Sequence, residues 1–407
     1  MAHYDEHAPI VVDHAEGHEL VDVEGRRYLD AISSLWVTTL GHRVPELDAA
    51  LARQAGKVAH STMLGNTNRV VVELAEALAA VVPVDGPHFL FASDGASAVE
   101  QALKIAFQYW VNRGDHGRVG YLALGNAYHG DTVGSLSVGD GGFGTSLYDP
   151  LRFPVHRTPG YDDPAWLDKA LAVLEAHGPE LAAVVFEPLV QGAAGMLVAE
   201  PTDVGVLGRA AADAGVLVVA DEVATGFGRT GRLFASDWCG LRPDLLCLGK
   251  GITGGYLPMS ATVAAGHVYE AFLGEEPLAL FHGHSYGGNA LGAAVALEHL
   301  RLVHEGGVLD NVGARAAQLA RLLAGRIAPH GAVKAVRQRG LMVGVELDPT
   351  GRGVRLGRRV CAAAVRRGVL LRPLGDVVVL MPPLTVEAGE VELIVDTLAA
   401  ALDEVAT

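Results

Sequence analysis

Residues 215–226 read GVLVVADEVATG, and this stretch decides the predicted fold. Residues 216–220 (VLVVA) form an unbroken apolar run, which is typical of a strand buried on both faces of a parallel sheet. The run ends at Asp221, and open α/β sheets bind their ligands at the carboxyl ends of the strands. The sequence therefore predicts a functional site at Asp221.

A second apolar run, residues 245–248 (LLCL), ends in Gly249-Lys250-Gly251. Because glycine has no side chain, a planar ligand could approach this lysine closely. A lysine and an acid at two strand ends are the groups that pyridoxal phosphate chemistry needs. The lysine condenses with the aldehyde, and the acid pairs with the ring nitrogen. The residues alone fit equally well a simple ion pair between Asp221 and Lys250.

Strand and helix patterns alternate along most of the chain. Apolar runs end at Ala92, Leu124 and Phe186, and helix-period patterns cover residues 96–111 and 202–214. This alternation predicts an α/β fold with a mostly parallel, doubly wound sheet covered by helices.

The last hundred residues carry a different pattern of short strands and two helices, which predicts a smaller α+β lobe. We expect the large domain to span residues 33–305. We expect the small domain to combine both termini, residues 1–32 and 306–407.

Composition excludes several classes of protein. The chain has 407 residues and a formal net charge of −16, which argues against nucleic acid or an anionic membrane as the main partner. Its three cysteines, Cys239, Cys247 and Cys361, form no CxxC pair, which favours a reducing compartment. The first residues show neither a basic start nor an apolar core, so we expect a cytoplasmic protein without a signal peptide.

A small-residue turn, Ser93-Asp94-Gly95-Ala96, separates a predicted strand from a predicted helix. The free N–H groups and the dipole of a helix N-terminus favour an anion such as a phosphate. An ordinary helix cap at Ser93 or Asp94 explains the turn equally well.

Residues 283–287 (GHSYG) match the G-x-S-x-G motif, between an apparent strand at 280–282 and a helix pattern that reaches about residue 304. This context is that of a nucleophile elbow, so a serine hydrolase using Ser285 is the alternative function. Asp310 or Asp348, with His330, would complete its triad.

Two further side chains suggest substrate contacts. Arg372 lies at a predicted strand end, where it could hold a carboxylate through two hydrogen bonds. Trp36 lies in a loop and is expected to be exposed. Four histidines crowd the first twenty residues, but no helix pattern brings them onto one face, so the sequence predicts no metal site.

Taken in order, these motifs resemble the fold-type I, class III pyridoxal-phosphate aminotransferases over nearly the whole chain. The likeness is carried by residues 33–36 (SSLW), 95–110, 128–132 (YHGDT), 187–188 (EP), 221–231 (DEVATGFGRTG), 249–251 (GKG) and 372–375 (RPLG). The 221–231 motif followed by Gly-Lys is specific for the class. Leu35 and Ala96 depart from the tryptophan and serine that many members carry there.

The resemblance implies a role for each matched residue. Lys250 would be the Schiff-base lysine and Asp221 the partner of the ring nitrogen. The other expected cofactor contacts are Gly95, Ala96, Tyr128, Val223, Glu187 and, from a second subunit, Ser285. The expected substrate contacts are Trp36, Arg372, Tyr128 and Gly283.

Within the family, residues 107–110 (FQYW), 129–132 (HGDT) and 381–383 (MPP) look most like the members that act on 8-amino-7-oxononanoate. That likeness implies ping-pong transfer through pyridoxamine phosphate, yielding 7,8-diaminononanoate for biotin synthesis. The donor would be S-adenosylmethionine or lysine, and residues 281–286 (FHGHSY) resemble the lysine-using branch. Another class III transaminase of ω-amines or ω-amino acids shares the cofactor residues. The family also implies a homodimer with its active sites at the interface.

Overall fold

The structure is a computed structural model that describes residues 9–140, 142–274 and 278–406. Its strands are β1 (Val12–Glu16), β2 (Glu19–Asp22), β3 (Arg27–Asp30), β4 (His88–Ala92), β5 (Gly120–Leu124), β6 (His156–Thr158), β7 (Leu181–Phe186), β8 (Val190–Gln191), β9 (Leu197–Val198), β10 (Leu217–Asp221), β11 (Leu245–Leu248), β12 (Ser260–Ala264), β13 (Val333–Arg339), β14 (Met342–Leu347), β15 (Val369–Leu370), β16 (Arg372–Leu374) and β17 (Val377–Leu380).

The helices are α1 (Ser33–Trp36), α2 (Pro45–Ala55), α3 (Arg69–Ala79), α4 (Gly95–Asn112), α5 (Val133–Val138), α6 (Trp166–His177), α7 (Pro201–Asp213), α8 (Ser236–Cys239), α9 (Gly266–Glu270), α10 (Ala290–Glu305), α11 (Val308–Leu322), α12 (Leu356–Arg366) and α13 (Ala388–Ala406). Short 3₁₀ segments cover Gly142–Leu151, Gly178–Glu180 and Lys250–Thr253, and a π-helical turn, Leu323–Ile327, extends α11.

A seven-stranded sheet forms the centre of the molecule, in the order β4-β12-β11-β10-β7-β5-β6. Only β12 runs antiparallel to its two neighbours, so the other six strands point the same way. β7, β10 and β11 are buried along their whole length, as expected for strands with helices on both faces. The predicted mostly parallel α/β fold is confirmed.

The direction of the strands defines two edges of this sheet. The carboxyl edge, where the six parallel strands end, carries Asp94-Gly95 after β4, Glu187 after β7, Asp221 at the end of β10 and Lys250 after β11. The amino edge, where they begin, carries the first residue of β6. Groups far apart in sequence therefore converge at the carboxyl edge.

Smaller sheets join the two ends of the chain. β15 pairs with β3 in parallel, which ties a C-terminal strand to the N-terminal hairpin β2–β3. A second four-stranded sheet has the order β13-β14-β17-β16, and α12 contacts its strands. The boundaries at residues 32/33 and 305/306 stay a prediction.

Among the described residues, no helix is both long and apolar enough to cross a membrane. The cysteines Cys239, Cys247 and Cys361 are free thiols, and each is buried.

Candidate active site

A cavity of about 760 Å³ opens at the carboxyl edge of the central sheet. We call it the carboxyl-edge cavity. It is lined by Leu35, Trp36, Asp94, Gly95, Ala96, Tyr128, His129, Gly130, Asp131, Thr132, Thr145, Glu187, Ala193, Asp221, Val223, Ala224, Lys250, Arg372 and Leu374. All but two of the predicted site residues are in this lining, and its size suits a small molecule.

Lys250 lies two residues after the end of β11 and lines this cavity. Its amine lies 5.4 Å from the centre of the Trp36 ring, and among the described residues it has no hydrogen-bond acceptor. No ion pair within 4.0 Å joins it to Asp221, so the alternative of a direct pair is wrong. Burial lowers the pKa of Lys250, against the attraction of Asp221 and Glu187. The amine is therefore easier to deprotonate than an ordinary lysine.

Asp221 is held in place by two donors. Its Oδ1 accepts the N–H of Val223 at 3.0 Å, and its Oδ2 lies 2.6 Å from Nδ1 of His129. Because the carboxylate only accepts, we assign the proton of this bond to Nδ1. Burial disfavours the charged imidazole, but the hydrogen bond to Asp221 and the negative charges of Asp221 and Glu187 together outweigh it and raise the pKa of His129. The carboxylate is thus oriented while it still lines the cavity.

No role for His129 was predicted from the sequence, although it belongs to the motif at residues 128–132. Ninety-two positions separate His129 from Asp221, so no local pattern reveals their contact. The position of His129 in the polar loop that follows the predicted strand ending at Leu124, next to Tyr128, was the available signal.

Glu187 follows β7 and is a second buried acid in the lining. It accepts the main-chain N–H groups of Tyr128 at 3.2 Å and Gly192 at 3.1 Å. Burial raises its pKa to about 7, an effect that the charge of Asp221 reinforces and that of His129 opposes. Glu187 therefore changes charge near neutral pH, which is typical of functional sites.

Helix α4 begins at the wall of the cavity. Asp94 caps it by accepting the N–H of Ser97 at 2.8 Å, so the predicted cap is confirmed at Asp94, and the anion site stays a prediction. A Cβ atom on Gly95 would lie 2.6 Å from Cγ1 of Val223, so only glycine allows this approach. Gly95 and Ala96, the first two residues of the helix, line the cavity, and N–H groups at a helix start have no partner within the helix and favour an anion.

Tyr128 and Val223 form further parts of the wall. Burial raises the pKa of the Tyr128 phenol to about 12, and the neighbouring Asp131 carboxylate adds to the effect. The phenol therefore stays protonated near neutral pH.

Trp36 is buried, with 7% of its surface exposed, so the expectation of an exposed ring is wrong. The ring is enclosed because the chain turns sharply: Ser33, Ser34 and Trp36 have φ angles of 50°, 60° and 67°. Lys250 is also left-handed, with φ of 41°. Such conformations cost of the order of 1–3 kcal/mol each and cluster at functional sites.

Arg372 begins β16 and contributes a guanidinium group to the cavity. Within the described residues its side chain has neither a hydrogen-bond nor an ion-pair partner, although its main chain pairs with Val379 of β17. An unpaired guanidinium on an exposed residue that lines a cavity suits a carboxylate ligand.

Ser285 and Gly283 do not line the carboxyl-edge cavity, and both are exposed. Residues 278–289 contain no strand, so the nucleophile elbow expected around Ser285 does not form. His330 lies 3.5 Å from Asp403 of α13, whereas the Ser285 carbonyl accepts from His60 at 2.7 Å. The hydrolase alternative is therefore wrong.

Two searches of known sequences agree on a family. A family model described as aminotransferase class-III matches residues 1–402. The adenosylmethionine-8-amino-7-oxononanoate aminotransferase of Nitratidesulfovibrio vulgaris is 45% identical, over 97% of this chain and 77% of the relative. The protein of the same name from Anoxybacillus flavithermus is 40% identical, over 99% of this chain and 93% of the relative.

Solved structures give the same result. The crystal structure of adenosylmethionine-8-amino-7-oxononanoate aminotransferase from Methanocaldococcus jannaschii superposes with a TM-score of 0.96 at 36% identity, over 100% of this chain and 95% of that one. A PLP-bound amine transaminase from an uncultivated Pseudomonas species superposes with a TM-score of 0.92 at 33% identity, over 98% and 96%. The predicted resemblance is confirmed: the chain belongs to the class III aminotransferase family.

Proposed function

We propose that this protein is a pyridoxal-phosphate-dependent transaminase that converts 8-amino-7-oxononanoate to 7,8-diaminononanoate in biotin synthesis. One observation carries the proposal. Lys250 and Asp221 line the same cavity without pairing with each other, so both remain available to one ligand placed between them. The names of the relatives support the choice of acceptor.

The cavity fits pyridoxal phosphate in three respects. The Lys250 amine has no acceptor among the described residues, so it is free to condense with an aldehyde. Asp221 is fixed through both oxygens and retains lone pairs for a ring N–H. The start of α4 at Gly95 presents N–H groups to a phosphate, while Val223 and Tyr128 offer surfaces for a ring.

When bound, the cofactor supplies a ring that accepts the electron pair left when the substrate carbon loses its proton. Asp221 keeps a proton on the ring nitrogen, and His129 holds the Asp221 carboxylate in place. Lys250, with its lowered pKa, would take the proton from the substrate carbon and deliver it to the cofactor carbon that carried the aldehyde, so that the amino group stays with the cofactor. The buried Trp36 ring covers one side of the lysine and limits the access of water.

We assign the carboxylate of the acceptor to Arg372. A bond between ionised groups contributes about 1.5–3 kcal/mol, so Arg372→Ala should raise KM by about 10- to 100-fold. The methyl ester of 8-amino-7-oxononanoate separates charge recognition from general damage. Wild type should prefer the acid to the ester, and the variant should not, whereas Arg358→Ala on the exposed side of α12 should keep the preference. An unchanged acid preference in Arg372→Ala contradicts the assignment.

We further propose a homodimer in which Ser285 of one subunit reaches the cofactor phosphate of the other. Three large apolar side chains near Ser285 are exposed: Phe281 at 74%, Tyr286 at 63% and Leu64 at 63%. Apolar groups gathered in this way suit a protein interface. Light scattering should give twice the chain mass for wild type and a lower mass for Phe281→Asp/Tyr286→Asp. An unchanged mass in the variant would contradict the proposed interface.

The activity itself is tested with purified protein, pyridoxal phosphate and 8-amino-7-oxononanoate, followed by mass spectrometry of the product. S-adenosylmethionine is the first donor to test because the relatives carry it in their names, and lysine is the second. Formation of 7,8-diaminononanoate with either donor supports the proposal. Transfer from simple ω-amines to other ketones, with none to this acceptor, overturns it in favour of an amine transaminase like the Pseudomonas neighbour.

A further inference from the structure

Three side chains at the amino edge of the central sheet lie close enough together to share a metal ion. His156 begins β6, His177 ends α6, and Glu180 ends the 3₁₀ segment before β7. One ligand atom from each lies within 4.8 Å of the others. We propose that they form a binding site for a divalent transition-metal ion such as Zn²⁺.

The two histidines are arranged as partners for a common ligand. Their ring centres are 4.3 Å apart, with an angle of 34° between the planes. Nδ1 of His177 is 3.6 Å from Oε2 of Glu180, which is too long for a hydrogen bond. This nitrogen is closed to solvent and has no hydrogen-bond partner among the described residues. A metal ion between the three groups would satisfy it.

The backbone that carries these side chains is fixed by hydrogen bonds. His156 is paired with Leu122 in the sheet. Nη1 of Arg118 donates to the carbonyl groups of Gly178 at 3.0 Å and Leu181 at 3.2 Å, which flank Glu180. Ligand atoms around tetrahedral zinc are about 3.4 Å apart. Side-chain rotations that move the ligand atoms by about 1 Å would therefore complete the site without a change in the backbone.

The donor set selects the class of ion. Two imidazole nitrogens and one carboxylate oxygen suit Zn²⁺, Ni²⁺, Co²⁺ or Cu²⁺ better than Mg²⁺ or Ca²⁺. Helix α6 ends at His177, and the partial negative charge of a helix C-terminus also favours a cation there.

The ion has a path to the site and a position left for water. His156 and Glu180 line a surface cavity of about 670 Å³, so the site can be filled without local unfolding. Three protein ligands leave a fourth tetrahedral position open.

This site lies at the edge opposite Lys250 and Asp221, so it is independent of the proposed function. The ion would connect the edge strand β6, the end of α6 and the segment before β7. An ion that binds only the folded state stabilises that state, so we expect Zn²⁺ to raise the melting temperature of the protein.

The test uses holoenzyme without an affinity tag, stripped with EDTA and dialysed. Calorimetric titration with Zn²⁺ should show one more bound ion per chain in wild type than in His156→Ala/His177→Ala. Glu180→Gln should weaken binding by about tenfold or more. With Cu²⁺, electron paramagnetic resonance should show nitrogen splitting from the two imidazoles, lost in the double variant.

Two controls separate this site from other histidines. His304→Ala removes an exposed histidine that also lies in the last turn of a helix, α10, and should leave the stoichiometry unchanged. His3→Ala/His7→Ala removes two N-terminal histidines and should also keep the bound ion. The proposal is overturned if the double variant binds as many ions as wild type with equal affinity. It is equally overturned if the N-terminal variant is the one that loses the ion. If the double variant fails to fold, Glu180→Gln serves as the test instead. The Glu180 side chain is exposed, so this variant should fold, and Zn²⁺ binding as tight as in wild type would overturn the proposal.

Discussion

The two edges of the central sheet differ in which helix ends lie there. Helix N-termini, with partial positive charge, lie at the carboxyl edge, and helix C-termini, with partial negative charge, lie at the amino edge. At the carboxyl edge, α4 begins at Gly95 and offers N–H groups to an anion, beside the buried acids Asp221 and Glu187. At the amino edge, α6 ends at His177, whose half-buried imidazole lies beside that of His156. Parallel strands with returning helices always create one edge of helix starts and one of helix ends. Burial then distinguishes them: the acids at the carboxyl edge are buried, while at the amino edge the imidazoles are half-buried and Glu180 is exposed.

Of all the substitutions, replacing Lys250 at the carboxyl edge should cause the largest loss of turnover. Lys250→Ala removes the group that condenses with the aldehyde and moves the proton, so turnover should fall by about 10⁴-fold or more. Steady-state product formation measures it. The cofactor should still bind through its phosphate, and the exposed Lys57→Ala should keep wild-type turnover. Ordinary multiple turnover in Lys250→Ala would rule out the carboxyl edge as the reaction centre.

Asp221→Asn should have the next largest effect. The amide keeps the shape of the carboxylate but cannot stabilise a charged ring nitrogen, so kcat should fall by about 10²- to 10³-fold. The visible spectrum of the bound cofactor should also change. The matched control is Asp213→Asn, an exposed acid at the end of α7, and equal rates in the two variants would contradict the assigned role.

His129→Asn tests whether His129 contributes to the reaction by orienting the Asp221 carboxylate. The variant loses the 2.6 Å bond that orients the carboxylate, so kcat/KM should fall by about tenfold. A positioning role also requires the pH dependence of the cofactor absorbance to change, because the charge balance around Asp221 changes. His116→Asn, on an exposed loop, should alter neither quantity. A rate loss with an unchanged pH dependence would indicate a purely structural role for His129.

Glu222 is adjacent to Asp221 but points away from the cavity, so it should affect stability rather than turnover. It accepts the N–H groups of Ala235 and Ser236, at 2.6 and 2.8 Å. Burial raises its pKa from 4.5 to about 7, although these N–H groups lower it. A raised pKa means that the folded state binds more protons. The stability from this group is therefore complete below about pH 4.5 and is lost as the pH rises through about 7.

Between pH 5 and pH 8, wild type should lose about 2–3 kcal/mol of unfolding free energy through Glu222. The amide of Glu222→Gln does not titrate. Between pH 5 and pH 8, the unfolding free energy of this variant should therefore rise by that amount relative to wild type. Urea unfolding at both pH values measures this shift. Glu175→Gln, an exposed acid on α6, should follow the wild-type pH dependence. Parallel stability curves for Glu222→Gln and wild type would show that this carboxyl group does not titrate in that range.

Much of the fold was predictable because its signals are local. The runs that became β7, β10 and β11 are apolar throughout, and a strand buried on both faces requires that composition. Strand β12 was missed because its sequence, SATVA, mixes small polar and apolar residues. It is a strand only because β4 and β11 pair with it on both sides.

The site was predictable where the residues end strands and unpredictable where packing closes it. Asp221 directly follows its apolar run and Lys250 comes two residues after its own, so their place at the carboxyl edge follows from the direction of the strands. The burial of Trp36 and the contact of His129 with Asp221 do not follow from any local pattern.

The sequence by itself determined the α/β class, the family and the edge of the sheet at which the acid and the lysine meet. Periodicity, glycine placement and strand ends are properties of neighbouring residues, so they can be read along the chain. Only the tertiary structure decided which charges pair, which ring is buried and which pKa values shift. Those properties depend on desolvation and on contacts between residues tens to hundreds of positions apart, and both arise only when the chain is packed.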